Sequence, residues 1–389
     1  VVTSEAITPF RSRTPDAVLA DLRERLARTR FPDQPQGAGW GYGADLAYVQ
    51  ELCGYWRDRY DWRAAEERFN AFPQFTTEVE DETLHFFHVR SPQADALPLI
   101  ITHGWPGSVA EFLDVLGPLS DPARHGGDAR DAFHVIAPSI PGYGFSGPTK
   151  AMGFNAHRAA AANSVLMERL GYGRYGAQGG DWGSQISSLM AAAHPERLAG
   201  LHLNFIIGVP PDPANPLAGL SAEEVEYVAW KQNYDAHESG YQAIQGTKPQ
   251  SLAYGLTDSP AGVAAWIVEK FKTWSDCGDD VESVYTKDRL LDNIMLYWVT
   301  GTINSSMRMY YESFGPNRAP APPMPRIETP TGHARYPAEI RRTPRLWAEQ
   351  MYNIVRWTQM PKGGHFAAME QPELFVEEVR AFFRPLRGT

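Results

Sequence analysis

The sequence predicts an α/β protein: a mostly parallel sheet with helices on both faces, a helical lid insertion and a helical N-terminal segment. Three observations predict it. Short apolar runs bounded by turn residues alternate with runs of helical period from Phe75 to Asn204, as in a parallel sheet with crossover helices. The stretch Gly179-Gly180-Asp181-Trp182-Gly183 joins a strand-like run to a helix-like run, with small residues two before and two after Asp181. That is the spacing of a nucleophile elbow, a turn so sharp that bulky neighbours of the central residue would clash. Finally, prolines at 210, 211, 213 and 216, and again at 320, 322, 323 and 325, bracket a helix-rich, aromatic-rich stretch that interrupts the alternation.

Residues 1–75 read as a separate helical unit. Thr14-Pro15-Asp16 offers an N-cap, a first-turn proline and an early acid, and Val18, Leu19, Leu22 and Leu26 follow at helical spacing. After a glycine-rich break, a second helix is expected from Asp45 to about Tyr60. The dense aromatics here are expected to pack this unit onto the main body.

Residues 76–207 read as the first part of the sheet. Thr77–Val79 and Leu84–Val89 flank an acidic turn as a hairpin, and Pro98–Thr102 is a buried strand followed by a helix over about 109–116. Phe133–Ala137 is the next strand, a helix follows over about 155–170, the elbow comes next, and Leu198–Asn204 is a further strand. Residues 208–325 read as the lid. In residues 326–389 the sheet resumes near Ile327 and Ile354, and a helix over about 372–383 closes the fold.

The chain has 389 residues, 43% hydrophobic and 21% charged, with a net charge of -10. This is an ordinary globular balance, and an acidic chain with no basic run is a poor partner for nucleic acid or an anionic membrane. Two cysteines, Cys53 and Cys277, support neither a disulfide framework nor a zinc site. No apolar run reaches the ~18 residues of a spanning helix, and the N-terminus lacks a signal-peptide pattern. The expectation is a soluble, cytoplasmic protein that needs no cofactor and no metal.

An elbow calls for an oxyanion hole, a second acid and a histidine, with the acid between nucleophile and histidine in the chain. His103-Gly104-Trp105-Pro106 follows a buried strand, so the backbone N–H groups of Trp105 and Trp182 are the expected oxyanion donors. His103 is a candidate base, weighed against a histidine that shapes its loop. His365, in Gly363-Gly364-His365-Phe366 after the last expected strand, is assigned as the base; His125, His194 and His202 have weaker contexts. Glu339 fits the acid by position, against a purely structural ion pair. Glu328 is too close to its strand, and Glu349 is expected on a helix.

Aspartate in place of the usual serine narrows the chemistry. A carboxylate is ionised at neutral pH, and displacement at saturated carbon yields an ester that water can remove; serine would leave an ether. The substrate is therefore an epoxide or an alkyl halide. His365 would activate water against the ester. An epoxide also needs an acid for its departing oxygen, and lid tyrosines suit that role. Tyr310 and Tyr311 are helix neighbours, so one faces the cleft.

Five stretches together resemble epoxide hydrolases of the microsomal type, which have the α/β-hydrolase fold and an N-terminal meander: His103–Gly107, Gly179–Gly183, Ser239-Gly240-Tyr241 with Thr247-Lys248-Pro249, Tyr297–Ile303 and Gly363–Ala368. The resemblance implies cofactor-free hydrolysis of an epoxide to a vicinal diol, with a small-molecule epoxide and water as reactants. It implies Asp181 as nucleophile, His365 as base, Glu339 as charge-relay acid, and Tyr241 and Tyr310 as proton donors to the epoxide oxygen. Mammalian members carry an N-terminal membrane anchor; the expectation here is a protein without one, similar to soluble bacterial members, some of which serve enediyne antibiotic biosynthesis. The aromatic lid suggests a bulky, apolar or aromatic epoxide. The competing activities are a haloalkane dehalogenase using the same aspartate, and a binder that has kept the fold without catalysis.

Overall fold

The computed structural model describes residues 5–316, 318, 320 and 323–388; Val1–Ser4, Asn317, Ala319, Ala321, Pro322 and Thr389 lie outside the described residues, so the bracket proline expected at 322 does as well. Among the described residues nine strands form one sheet: β1 (Thr8–Phe10), β2 (Gln74–Val79), β3 (Glu82–Val89), β4 (Leu97–Thr102), β5 (Phe133–Pro138), β6 (Tyr175–Gly179), β7 (Leu198–Leu203), β8 (Ile327–Arg335) and β9 (Tyr352–Gln359). Their order is β1-β2-β3-β5-β4-β6-β7-β8-β9. From β5 to β9 the pairing is parallel, and β1, β2 and β3 extend it antiparallel. The chain reverses its direction of travel across the sheet between β4 and β6, and in open α/β sheets ligands bind beyond the strand ends at such a switch.

Helices α1 (Asp16–Ala27), α2 (Leu46–Asp58) and α3 (Trp62–Asn70) precede β2. Within the sheet, α4 (Leu113–Ser120), α5 (Ala156–Arg169) and α6 (Asp181–Ala193) connect strands. Between β7 and β8 come α7 (Ala222–His237), α8 (Gly240–Thr247), α9 (Pro249–Asp258), α10 (Pro260–Trp274), α11 (Lys287–Thr300) and α12 (Ile303–Phe314). The chain closes with α13 (Arg345–Met351), α14 (Ala367–Glu370) and α15 (Pro372–Phe383). α5 packs on α6, and α4 packs on α15. No helix among the described residues is long and apolar enough to cross a membrane.

Three local expectations are corrected. The N-terminal unit is not wholly helical, because β1 pairs with β2 through Thr8↔Thr76; three residues with a central proline give no readable period. Thr14 does not cap α1. The cap position is Pro15, without a side-chain bond, and Thr14 Oγ1 instead accepts from Trp62 Nε1 at 2.8 Å. The helix expected from 109 begins as a 3-10 turn, Val109–Phe112, before α4.

Candidate active site

β6 ends at Gly179 and α6 begins at Asp181, whose φ is +48°. A left-handed conformation costs a non-glycine residue ~1–2 kcal/mol, so the surroundings must hold it there. They do so by close approach: a Cβ on Gly183 would meet the carbonyl oxygen of Thr102 at the end of β4, and one on Gly104 would meet the Asp181 carboxylate. The small residues thus let the elbow and the loop after β4 touch. Across that contact Trp105 N–H donates to Asp181 Oδ1 at 2.8 Å. The Trp182 N–H lies in the first turn of α6, where helical N–H groups have no intrahelical acceptor.

The loop carrying Trp105 is tied to α11. Asn293 Nδ2 donates to the Pro106 carbonyl at 2.8 Å, Tyr297 O–H donates to the Gly107 carbonyl at 2.6 Å, and Ser108 O–H donates to Asn293 Oδ1 at 2.7 Å. All three bonds are buried, so the direction of the Trp105 N–H depends on a helix nearly two hundred positions away.

Glu339 and His365 come from the loops after β8 and β9. A bridge between Ala338 and Gly364 joins the loops, and His365 N–H donates to the Trp274 carbonyl at 2.9 Å. His365 Nδ1 lies 2.6 Å from Glu339 Oε1 and its Nε2 lies 3.3 Å from Asp181 Oδ2, with the Glu339 and His365 side chains 1% and 2% exposed. Glu339 Oε1 also accepts the Ile340 N–H at 2.7 Å. Burial works against an imidazolium at His365, yet Glu339 and Asp181 on either side outweigh it and hold its pKa well above the usual value.

The weighed alternatives lie elsewhere. Both ring nitrogens of His103 meet backbone groups, the Gly104 carbonyl at 3.0 Å and the Ile140 N–H at 3.2 Å, and burial lowers its pKa to about 4. It shapes its loop as a neutral ring. Glu328 pairs with Arg326, and Glu349 lies on α13 paired with Arg345.

Tyr241 opens α8 and Tyr310 lies on α12; their rings are 5.9 Å apart at 80°. Tyr241 stacks on Trp105 at 5.2 Å, and Tyr310 meets Trp182 edge-on at 4.9 Å. Both phenols line a cavity of about 190 Å³ that has Asp181 in its wall. Burial first, and then neighbouring charges including Asp181, raise both phenol pKa values, so both keep their protons at neutral pH. Of the adjacent pair, Tyr310 is the one turned into the cavity. Its helix is docked at its start, where Ser305 O–H donates to the Gly142 carbonyl at 2.5 Å and Thr302 Oγ1 accepts the Gly144 N–H at 3.1 Å.

Two residues escaped the sequence reading. Tyr234 O–H donates to Tyr241 Oη at 3.3 Å and lines the same cavity; one tyrosine among many carries no local signal. Glu111 lines a second cavity of about 20 Å³ behind Asp181 and His365, together with Gln178 and Asn204. Burial, partly opposed by His365, pushes the Glu111 carboxyl up to about 8. A Cβ on Gly107 would meet that carboxyl, so the glycine four positions before Glu111 was the available clue.

Residues 7–112 match the family described as epoxide hydrolase N terminus, and residues 98–243 match the alpha/beta hydrolase fold family. A protein of Stigmatella aurantiaca, provisionally named an epoxide hydrolase, is 47% identical over 98% of this chain and 86% of its own. Epoxide hydrolase 1 of Sus scrofa is 39% identical over 97% of this chain and 88% of its own. The crystal structure of juvenile hormone epoxide hydrolase from Bombyx mori superposes with a TM-score of 0.90 at 32% identity, covering 99% of this chain and 96% of that one.

Proposed function

This chain belongs to the epoxide hydrolase family, and from that premise we propose that it converts an epoxide to a vicinal diol through a covalent ester on Asp181. The observation that carries the reading is one carboxylate in three settings at once. It accepts the Trp105 N–H, faces His365 and lies in the wall of the cavity that Tyr241 and Tyr310 share.

In the first step Asp181 attacks an oxirane carbon, the C–O bond breaks, and the departing oxygen takes a proton from Tyr241 or Tyr310. The product is a hydroxyalkyl ester of Asp181. Esterification removes one of the two negative charges that hold His365 protonated, so its pKa falls and its proton passes, directly or through water, to the tyrosinate, leaving His365 neutral when a base is needed. Neutral His365, oriented by Glu339, then takes a proton from water as the water adds to the ester carbonyl. The N–H groups of Trp105 and Trp182 receive the oxyanion, a contribution of ~2.7–4 kcal/mol per donor. Collapse expels the alkoxide, which takes the proton of the new Asp181 carboxyl group to complete the diol, and leaves the Asp181 carboxylate beside a protonated His365, as at the start.

Trp182, Phe205, Ile207 and Phe314 in the cavity wall favour a bulky, apolar or aromatic body on the substrate. A panel of aryl and alkyl epoxides, with chiral analysis of the diols, tests the activity. Halide release from simple haloalkanes without diol formation from any epoxide would favour the dehalogenase reading instead. The likeness to the Stigmatella aurantiaca protein supports a bacterial setting, and a role there in secondary metabolism is checked by an epoxide that accumulates when the gene is deleted.

A further inference from the structure

The residues that follow Glu339 in the chain also face the substrate cavity: Ile340 and Arg341 both line it. The basic side chains around Arg341 are already engaged. Arg335 pairs with Glu223, Arg345 with Glu349, and Lys231 with Asp235, while the Arg342 guanidinium lies 4.1 Å from the centre of the Trp230 ring. Arg341 has no carboxylate within 4.0 Å and no side-chain hydrogen bond among the described residues, although it is half-buried. Asp235 acts on its charge from a distance but has Lys231 as its close partner.

Withdrawing a guanidinium from water without a partner is unfavourable. Desolvation lowers the Arg341 pKa, with Asp235 acting in the opposite direction; an arginine stays charged in proteins regardless. Asp181, Lys231, Asp235 and Arg341 share the cavity wall; Lys231 and Asp235 pair with each other, and Asp181 accepts the Trp105 N–H and faces His365, which leaves the Arg341 guanidinium as the charge there without a close partner among the described residues. Gln185 and Gln242 lie in the same wall and add amide donors. A planar guanidinium with amide donors in the same wall matches a carboxylate, which the guanidinium can hold through two parallel bonds.

We propose that Arg341 is an anion-binding subsite of the substrate cavity, and that the epoxides this enzyme prefers carry a carboxylate separated from the oxirane by an apolar body. The proposal rests on the epoxide hydrolase reading and narrows it. The apolar residues of the wall hold the body of the substrate, the Asp181 end takes the oxirane, and Arg341 receives the acid. Binding the anion returns to the guanidinium the partner that folding withheld.

The test is a matched pair of substrates, a carboxyphenyl glycidyl ether and its methyl ester, with the wild type, Arg341→Leu and Arg341→Lys. The wild type is expected to favour the acid in kcat/KM by roughly ten- to a hundredfold, the scale of a charge-assisted hydrogen bond. Arg341→Leu is expected to collapse that ratio towards one, mainly through KM for the acid, and Arg341→Lys to restore part of it. Equal use of acid and ester by the wild type, or a preference that survives Arg341→Leu, overturns the subsite while leaving epoxide hydrolysis intact. If neither ether is hydrolysed, calorimetric titration with the diol acid decides independently of turnover. Binding lost in Arg341→Leu supports the subsite, and equal binding to both proteins, or to neither, overturns it.

Discussion

Asp181 and His365 meet at 3.3 Å, and the carboxylate oxygen facing the ring is not the one that accepts the Trp105 N–H. One oxygen is thus held by the backbone while the other faces the base. This division of labour suits the proposed route, in which one carboxylate serves first as nucleophile and then as the acyl group under attack.

If Asp181 supplies the first oxygen, a single turnover in heavy-oxygen water leaves the label out of the diol and puts it into Asp181. Peptide mass spectrometry reads the label. A labelled diol from the first turnover excludes the ester route. His365→Gln is expected to stop at the ester, visible as a mass increase of one substrate on the intact protein.

The elevated pKa of His365 rests on both carboxylates. Asp181→Asn removes one of them and is expected to lower the His365 pKa, followed by NMR titration of the ring. The sign for stability follows from the native value lying above the unfolded ~6.5. Stabilisation from this charge pairing is fully present below that unfolded value and is lost as pH rises through the native one. The stability difference between wild type and His365→Gln in urea is therefore expected to shrink as pH rises.

Tyr241 and Tyr310 both keep their protons within one cavity, so each single phenylalanine variant should retain partial activity. The double variant Tyr241→Phe with Tyr310→Phe is expected to lose ~10²–10⁴ in the rate of ester formation, the span of general acid catalysis. Rapid-quench measurement of the ester separates this from its hydrolysis. A double variant that forms ester at the wild-type rate would remove both residues from the mechanism.

Gly183→Ala and Gly104→Ala should fail differently. The added methyl at 183 meets the Thr102 backbone, which cannot swing away, so a loss of ~1–3 kcal/mol is expected from overpacking. The methyl at 104 meets the Asp181 side chain, so activity should fall well before stability. Thermal melts and kcat/KM on both variants distinguish the two.

Much of the fold was legible because parallel strands and crossover helices write their period locally. The elbow strand, the helix after it and α15 lie where the pattern placed them. β1 was not legible, since its three residues are a strand only because β2 offers them an edge. Thr14 misled for a related reason. It has the chemistry of a cap, but Trp62 and Glu66 from another helix claim its groups.

The sequence by itself determined the elbow: glycines and aspartate at fixed short spacing specify a sharp strand-to-helix turn, and the aspartate at its centre is what the proposed ester rests on. Only the tertiary structure decided which acid lies beside His365, since Glu339 is 26 positions away and reaches it through two loops bridged at Ala338 and Gly364. It likewise decided that Tyr310 rather than Tyr311 lines the cavity, that Tyr234 backs Tyr241, and that Glu111 is buried behind the reacting pair. The reason is physical. A turn is a matter of local sterics, whereas a buried charge or hydroxyl takes its function from partners that chain folding brings to it.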